Sequence, residues 1–260
     1  MTTTLVTGAT GRLGRPTVAR LRAAGHDVRA LSRRSGPGLA TGDLRTGAGL
    51  REALTGVGTV VHLATGPRGR GDVDLARTLL TAVAEADVDH LVLVSIVGID
   101  TNPLPYYRDK LAVERLVGGS GVPHTVLRAT QFHALVAGLF TVQRALPVLA
   151  APAVPLQPIA VEDVAERLVE LAGSAPAGRV GDIGGPEQLT VPELARVWTH
   201  GTGSRRRVVP VRLPGRVFAA LHAGSALVPG VPYGRRTFAE HVAATAARTG
   251  TPRTGTGAPR

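Results

Sequence analysis

Cysteine is absent from this 260-residue chain, which removes disulfide staples, thiol nucleophiles and cysteine-held metals together. Aromatic residues make up only 3% of it, so its basic residues lack the interleaved rings on which unpaired bases stack. No apolar run reaches the length of a membrane span, because Arg144 and several prolines interrupt the most apolar region, 134–160. The opening residues, Thr2 to Val6, lack the charged start and long apolar core of a secretory signal. Lysine is nearly missing as well: Lys110 is the only one among 30 basic residues. The formal charge of +11 therefore comes from arginines, scattered except for the cluster Arg205-Arg206-Arg207. It reads as a solvated basic surface rather than a nucleic-acid site. These gaps predict a cytoplasmic protein with no metal, nucleic-acid or membrane partner. Its expected partner is a small-molecule substrate, and its oligomeric state is open between monomer and dimer.

What is present begins with glycine. Thr3 to Val6 reads as a short buried strand, and Val18, Leu21 and Ala24 recur at helical spacing up to Gly25. Between them lies Thr7-Gly8-Ala9-Thr10-Gly11-Arg12-Leu13-Gly14. A helix opening at such a turn points unpaired N–H groups and its positive dipole end at whatever the turn holds. Glycines let the backbone approach a diphosphate and let the helix lie close to its strand. The turn, with Gly8, Thr10, Gly11, Arg12, Leu13 and Gly14, is thus a candidate dinucleotide site. A second strand, Val28 to Leu31, leads to Ser32-Arg33-Arg34, where an NAD site carries an acid for the ribose 2′-hydroxyl. No acid occurs between Val28 and Gly42. Two guanidiniums and a hydroxyl suit a 2′-phosphate, and NADP(H) is the expected cofactor.

A short third strand is expected to end at Gly42-Asp43-Leu44, and further strands at Val60 to Ala64, His90 to Ser95 and Arg179 to Ile183. Thr190 with Glu193 three residues on reads as the capped start of a later helix, and a helix over Asp74 to Glu85 separates the two central strands. This alternation predicts an α/β fold, a Rossmann-type doubly wound parallel sheet with its ligands beyond the strand C-termini. Pro105 then opens a helix running to Gly118-Gly119. Tyr106 and Lys110 stand four residues apart on it, so both project from one face. A cation beside a phenol lowers its pKa, which predicts Tyr106 as a proton donor, while the ammonium can bind the cofactor ribose. The sole lysine and two of the three tyrosines meet here. Tyr107, three residues before Lys110, is the alternative acid.

Taken with these motifs, Gly42-Asp43-Leu44, Val92-Leu93-Val94-Ser95, Val126-Leu127-Arg128, Pro158-Ile159 and Asp182-Ile183-Gly184-Gly185-Pro186-Glu187 give the chain a family likeness. It resembles the short-chain dehydrogenase/reductase superfamily, in its atypical NmrA-like, NAD(P)-binding branch, to about residue 245. The resemblance implies that Gly8, Gly11 and Gly14 bind pyrophosphate, Asp43 and Leu44 adenine, and Ala64 and Thr65 the adenosine side. It also implies Tyr106 as proton donor, Lys110 on the nicotinamide ribose and a catalytic serine at Ser95. In Ser95-Ile96-Val97 only the first position carries a hydroxyl, and Ala129 stands where relatives often have proline.

Gln131, Phe132 and His133 follow the sixth strand and are candidate substrate contacts. The apolar stretch 134–149 reads either as a core helix or as one wall of a substrate pocket. One domain is expected over 1–248, its substrate-covering part formed by about 131–158 and 186–248. A disordered tail is expected over 249–260. The leading function is an NADPH-dependent reductase acting on a small, largely apolar carbonyl, imine or conjugated acceptor. A non-catalytic NADP(H)-sensing regulator and a sugar-nucleotide epimerase are the alternatives.

Overall fold

The computed structural model describes residues 3–66 and 71–249. Part of the glycine-rich loop after the fourth strand, and the tail from residue 250, lie outside the described residues. Seven strands form one parallel sheet: β1 (Thr3–Thr7), β2 (Val28–Ser32), β3 (Leu39–Thr41), β4 (Val57–His62), β5 (His90–Ile96), β6 (His124–Ala129) and β9 (Gly178–Arg179). Their order is β3-β2-β1-β4-β5-β6-β9, the doubly wound arrangement expected from the alternation. Neighbouring residues along each strand face opposite ways. Leu5, Val60, Leu91 and Val126 pack on one side against α2 (Leu50–Leu54), α3 (Asp72–Ala84) and α4 (Pro105–Gly118). Val6, Val61, Val92 and Leu127 pack on the other against α1 (Gly14–Ala23) and α6 (Val161–Ala172). Each such fully covered valine or leucine contributes roughly 1.5–3 kcal/mol.

After β6 the chain leaves the sheet for α5 (His133–Thr141), β7 (Val148–Pro152) and β8 (Pro155–Leu156). It returns as α6 and β9, then departs again through β10 (Leu189–Thr190), α7 (Val191–Thr202), β11 (Arg207–Val211), α8 (Arg216–His222) and α9 (Phe238–Thr249). The two excursions share a third core, with Val136, Phe140, Leu149, Leu194, Phe238 and Val242. Strand β11 pairs in parallel with β7, and β10 antiparallel with β8. The α7 start carries the capping box read from Thr190 and Glu193.

Three expectations need correction. The third strand stops before Gly42, because Asp43 N–H turns to Ala48 O and closes a loop. The apolar stretch 134–149 is divided: helix to Thr141, then a turn into β7. The strand expected over Arg179 to Ile183 holds its ladder only at its start. It rejoins β6 through one bridge, Ala129 to Ile183, beyond Gly181.

Candidate functional site

Because the strands are parallel, the ends of β1, β2, β4, β5 and β6 open onto one edge. At β1 the chain turns through Gly8, whose φ of +64° favours glycine. A Cβ on Gly8 would meet Ala64 N at 2.8 Å, and one on Gly14 would lie 2.1 Å from Gly8 O. These two glycines therefore let backbone lie on backbone. Gly11 is different: it is exposed, and its nearest obstacle is Gly8 O at 3.1 Å. The N–H groups of Arg12 and Leu13 donate to no backbone carbonyl among the described residues. Thr10 and Arg12 are exposed beside them, whereas the Leu13 side chain is buried in the sheet's second core.

Thr7 locks this turn to β4. Its Oγ1 accepts N–H bonds from Leu63 (3.1 Å) and Ala64 (3.2 Å) and lies 2.8 Å from His62 Nδ1. With both lone pairs used, the hydroxyl donates to Nδ1, so the neutral ring carries its proton on Nε2. Burial, and then the Lys110 charge, pulls the His62 pKa down to about 3.

At the end of β2, Ser32 Oγ accepts the Arg34 N–H at 3.1 Å, while Arg33 and Arg34 are exposed. Asp43 accepts the Arg45 N–H through Oδ1, making a tight turn, and the Leu44 side chain is buried in the first core. The role left to Leu44 by that burial is one for its backbone. Ala64 is half-buried and Thr65 exposed, its hydroxyl donating to Gly66 O.

The α4 residues meet a partner that no motif announced. Lys110 Nζ stands 2.8 Å from Asp72 Oδ2, with side chains 9% and 2% exposed. Asp72 Oδ1 accepts the Gly66 N–H at 2.7 Å, and among the described residues Oδ2 has no donor besides that ammonium. Lys110 Nζ also lies 5.8 Å from the centre of the Tyr106 ring. The expected lowering of the Tyr106 pKa is not what the surroundings produce. Burial first, then the Asp72 carboxylate and Tyr107, push it up to about 12. Tyr107 is buried, which also raises its phenol, against an opposing contact from Gln131.

Ser95 is buried, and its Oγ has no partner among the described residues. Its register partner Arg128 is held by Glu114, at 2.6 Å, and by Asp100. Both amide atoms of Gln131 are buried and form no hydrogen bond of ordinary geometry among the described residues, although the group lies towards the Tyr107 hydroxyl. Phe132 bridges to Ile159. His133 is buried, with Nε2 3.1 Å from Pro158 O and its ring 5.2 Å from that of His241. Burial first, then His241, takes its pKa down to about 4. Beyond it, α5 exposes Leu135 (58%) and Leu139 (44%) to solvent. Among the described residues no cluster of metal ligands occurs, and no helix is long and apolar enough to cross a membrane.

A glycine turn with N–H groups unpaired among the described residues, closing the first strand of a doubly wound sheet and locked to the end of its central neighbour β4, defines a dinucleotide-binding protein. The comparisons with known proteins agree. The chain belongs to the NAD(P)H-binding family, within the atypical short-chain dehydrogenase/reductases, and residues 8–174 match that family. It is 32% identical over 204 residues to a (4-alkanoyl-5-oxo-2,5-dihydrofuran-3-yl)methyl phosphate reductase of Streptomyces griseus, covering 73% of this chain and 70% of that protein. To the divinyl chlorophyllide a 8-vinyl-reductase of Oryza sativa subsp. indica it is 27% identical, covering 88% and 66%. Its fold is that of an NADPH-dependent quinone oxidoreductase of Escherichia coli solved with NADPH, with TM-score 0.78, 19% identity and coverage of 93% and 99%. A triphenylmethane reductase of Citrobacter sp. solved with NADP(H) gives TM-score 0.75 and 18% identity, covering 94% and 99%.

Proposed function

We propose that this protein is an NADPH-dependent reductase of a small, largely apolar carbonyl, imine or conjugated acceptor, with Tyr106 as proton donor. The observation that carries the reading is that Lys110, one helical turn from Tyr106, reaches Gly66 through Asp72, while the glycine turn lies against Ala64 of the same segment. The residues present fit the cofactor. Its pyrophosphate would lie at exposed Gly11 and the free Arg12 and Leu13 amides, and a 2′-phosphate would meet Arg33 and Arg34. When bound, the cofactor supplies hydride. Lys110 holds the ribose with the protons it does not share with Asp72. Tyr106, kept as a phenol at neutral pH, delivers its proton to the acceptor atom. Ser95 Oγ and the Gln131 amide bring unpaired donors to the polar end of the acceptor. Leu135 and Leu139 favour an apolar body for it.

The non-catalytic sensor keeps one observation in its favour: Ile96 and Val97 follow Ser95, so the strand ends with a single hydroxyl. One experiment separates the two readings. Small ketones, quinones and imines are screened for oxidation of NADPH, and Tyr106→Phe is compared with Tyr107→Phe at saturating cofactor. The reductase reading expects a loss of about 10²- to 10⁴-fold in Tyr106→Phe. Loss in Tyr107→Phe alone moves the acid there, and no turnover of any acceptor favours the sensor.

A further inference from the structure

Asp72 lies outside every motif that points to the cofactor, at the first position of α3 and just beyond the loop that follows β4. Yet it is nearly as enclosed as the sheet core, 3% exposed. A buried carboxylate and a buried ammonium at 2.8 Å are costly to assemble, and removing one partner strands the other. A solvated surface pair would carry no such demand. Here the pair sits between two parts of the binding edge: Gly66 holds one carboxylate oxygen, and the other meets the only lysine of the chain.

We propose that Asp72 is a positioning residue, which ties the Lys110 ammonium to the loop after β4 and cancels the charge Tyr106 would otherwise face. Two consequences follow. The ammonium is fixed in place before any ligand arrives, with one proton committed to Asp72 and two left for a ribose. Together with the burial that comes first, the carboxylate keeps the phenol protonated, the form a reductase needs in its proton donor. This inference rests on the roles of Tyr106 and Lys110 proposed above. The titratable groups around the phenol are Asp72 from α3, Tyr107 and Lys110 from α4 and, beyond Lys110, His62 from β4. Ionisation of Tyr106 is opposed first by burial, then by the Asp72 carboxylate and then by Tyr107; Asp72 is the carboxylate among them.

The test uses tyrosine labelled with ¹³C at Cζ. The chain has three tyrosines, and Tyr106→Phe assigns the signal. In the unaltered protein Tyr106 should remain a phenol up to pH 11. Asp72→Asn keeps the size of the side chain and an oxygen for Gly66 N–H but removes the charge. The Tyr106 midpoint should then fall, by about half a pH unit or more, roughly a threefold rise in acidity, because the burial remains. A midpoint that does not move, even with lowered thermal stability, overturns the proposal and leaves Asp72 a structural residue. Should Asp72→Asn fail to fold, ¹⁵N-lysine in the unaltered protein gives one side-chain signal. Slowly exchanging ammonium protons support the tie to Asp72, and freely exchanging ones overturn it. Because neither measurement needs turnover, a shifted midpoint in a protein without activity upholds the positioning role and refutes only the reductase reading.

Discussion

Replacing Gly14 by alanine should cost far more stability than the loss of one hydrogen atom implies. The new Cβ would lie 2.1 Å from Gly8 O, 2.7 Å from Ala9 Cα and 2.8 Å from Ala9 C. All three are backbone atoms, so no side chain can rotate out of the way. Ordinary contact lies at about 3.5–4.0 Å, so either the glycine turn or α1 must shift by more than about 1 Å. Overpacking of this kind costs about 3 kcal/mol or more, or roughly 6–12 °C in Tm for a chain of this size. Gly8→Ala should lose a similar amount, since its Cβ meets Ala64 N at 2.8 Å and its φ is +64°. Gly11→Ala should cost much less, about 1 kcal/mol, because φ is ordinary there and its one close atom, Gly8 O at 3.1 Å, need give only a few tenths of an ångström. It should instead weaken NADPH, raising Kd about tenfold, by keeping the pyrophosphate off the backbone. Urea unfolding without ligand and NADPH fluorescence titration read the two effects separately. A Gly14→Ala protein as stable as the parent, or a Gly11→Ala protein with unchanged Kd, would refute this division of labour.

Cofactor choice should follow the arginines: NADPH should bind at least tenfold tighter than NADH, about 1.4 kcal/mol, and Arg33→Ala/Arg34→Ala should erase most of that gap. Equal Kd values in the unaltered protein would contradict it. Lys110→Arg keeps the charge but exchanges a compact ammonium for a planar fork beside buried Asp72, so NADPH affinity and turnover should both fall. Isothermal titration and initial rates measure this, and parental values for both would count against it. His62 and His133 have folded pKa values of about 3 and about 4, below the ordinary 6.5. The unfolded chain therefore binds more protons in that interval, and stability is lost as pH falls from about 6.5 towards 4, by up to about 1.4 kcal/mol per pH unit per histidine. His62→Gln should flatten the dependence of urea midpoints between pH 6.5 and 4.5. An unchanged slope would mean that His62 is not buried neutral.

Local chemistry made much of this molecule readable from its residues. Leu5-Val6, Val60-Val61 and Leu91-Val92 are continuous apolar pairs because both faces of the sheet are covered. Pro105 and Thr190 sit at the helix starts they favour, and Gly8, Gly11 and Gly14 mark the turn. What periodicity could not supply was contact between distant segments. In the sequence Asp72 lies two residues ahead of the helix expected from Asp74, an ordinary acid; the structure starts α3 at Asp72, and only the packing of α3 on α4 brings it to Lys110. The expected effect of Lys110 on Tyr106 failed first because packing buries the phenol, and then because Asp72, which offsets the ammonium, lies far away in sequence. Thr7 and His62 were likewise legible as strand ends but not as one hydrogen-bonded lock, which the parallel register of β1 and β4 creates. Leu13 and Leu44 carried the family likeness, yet their side chains serve the cores.

The late return of α6 to the sheet has a consequence for synthesis. By residue 129, six strands of the sheet are available, but the apolar face of Val61, Val92 and Leu127 lacks Val164, Leu168 and Leu171. Translation must add about forty more residues before that cover exists, an interval of roughly 2–8 s at ordinary elongation rates. Throughout it the nascent chain shows the ribosome's surroundings a greasy strip bordered by α1 alone. The order of segments thus builds in a window for chaperone capture, and slowing translation between codons 129 and 172 should lower the soluble yield.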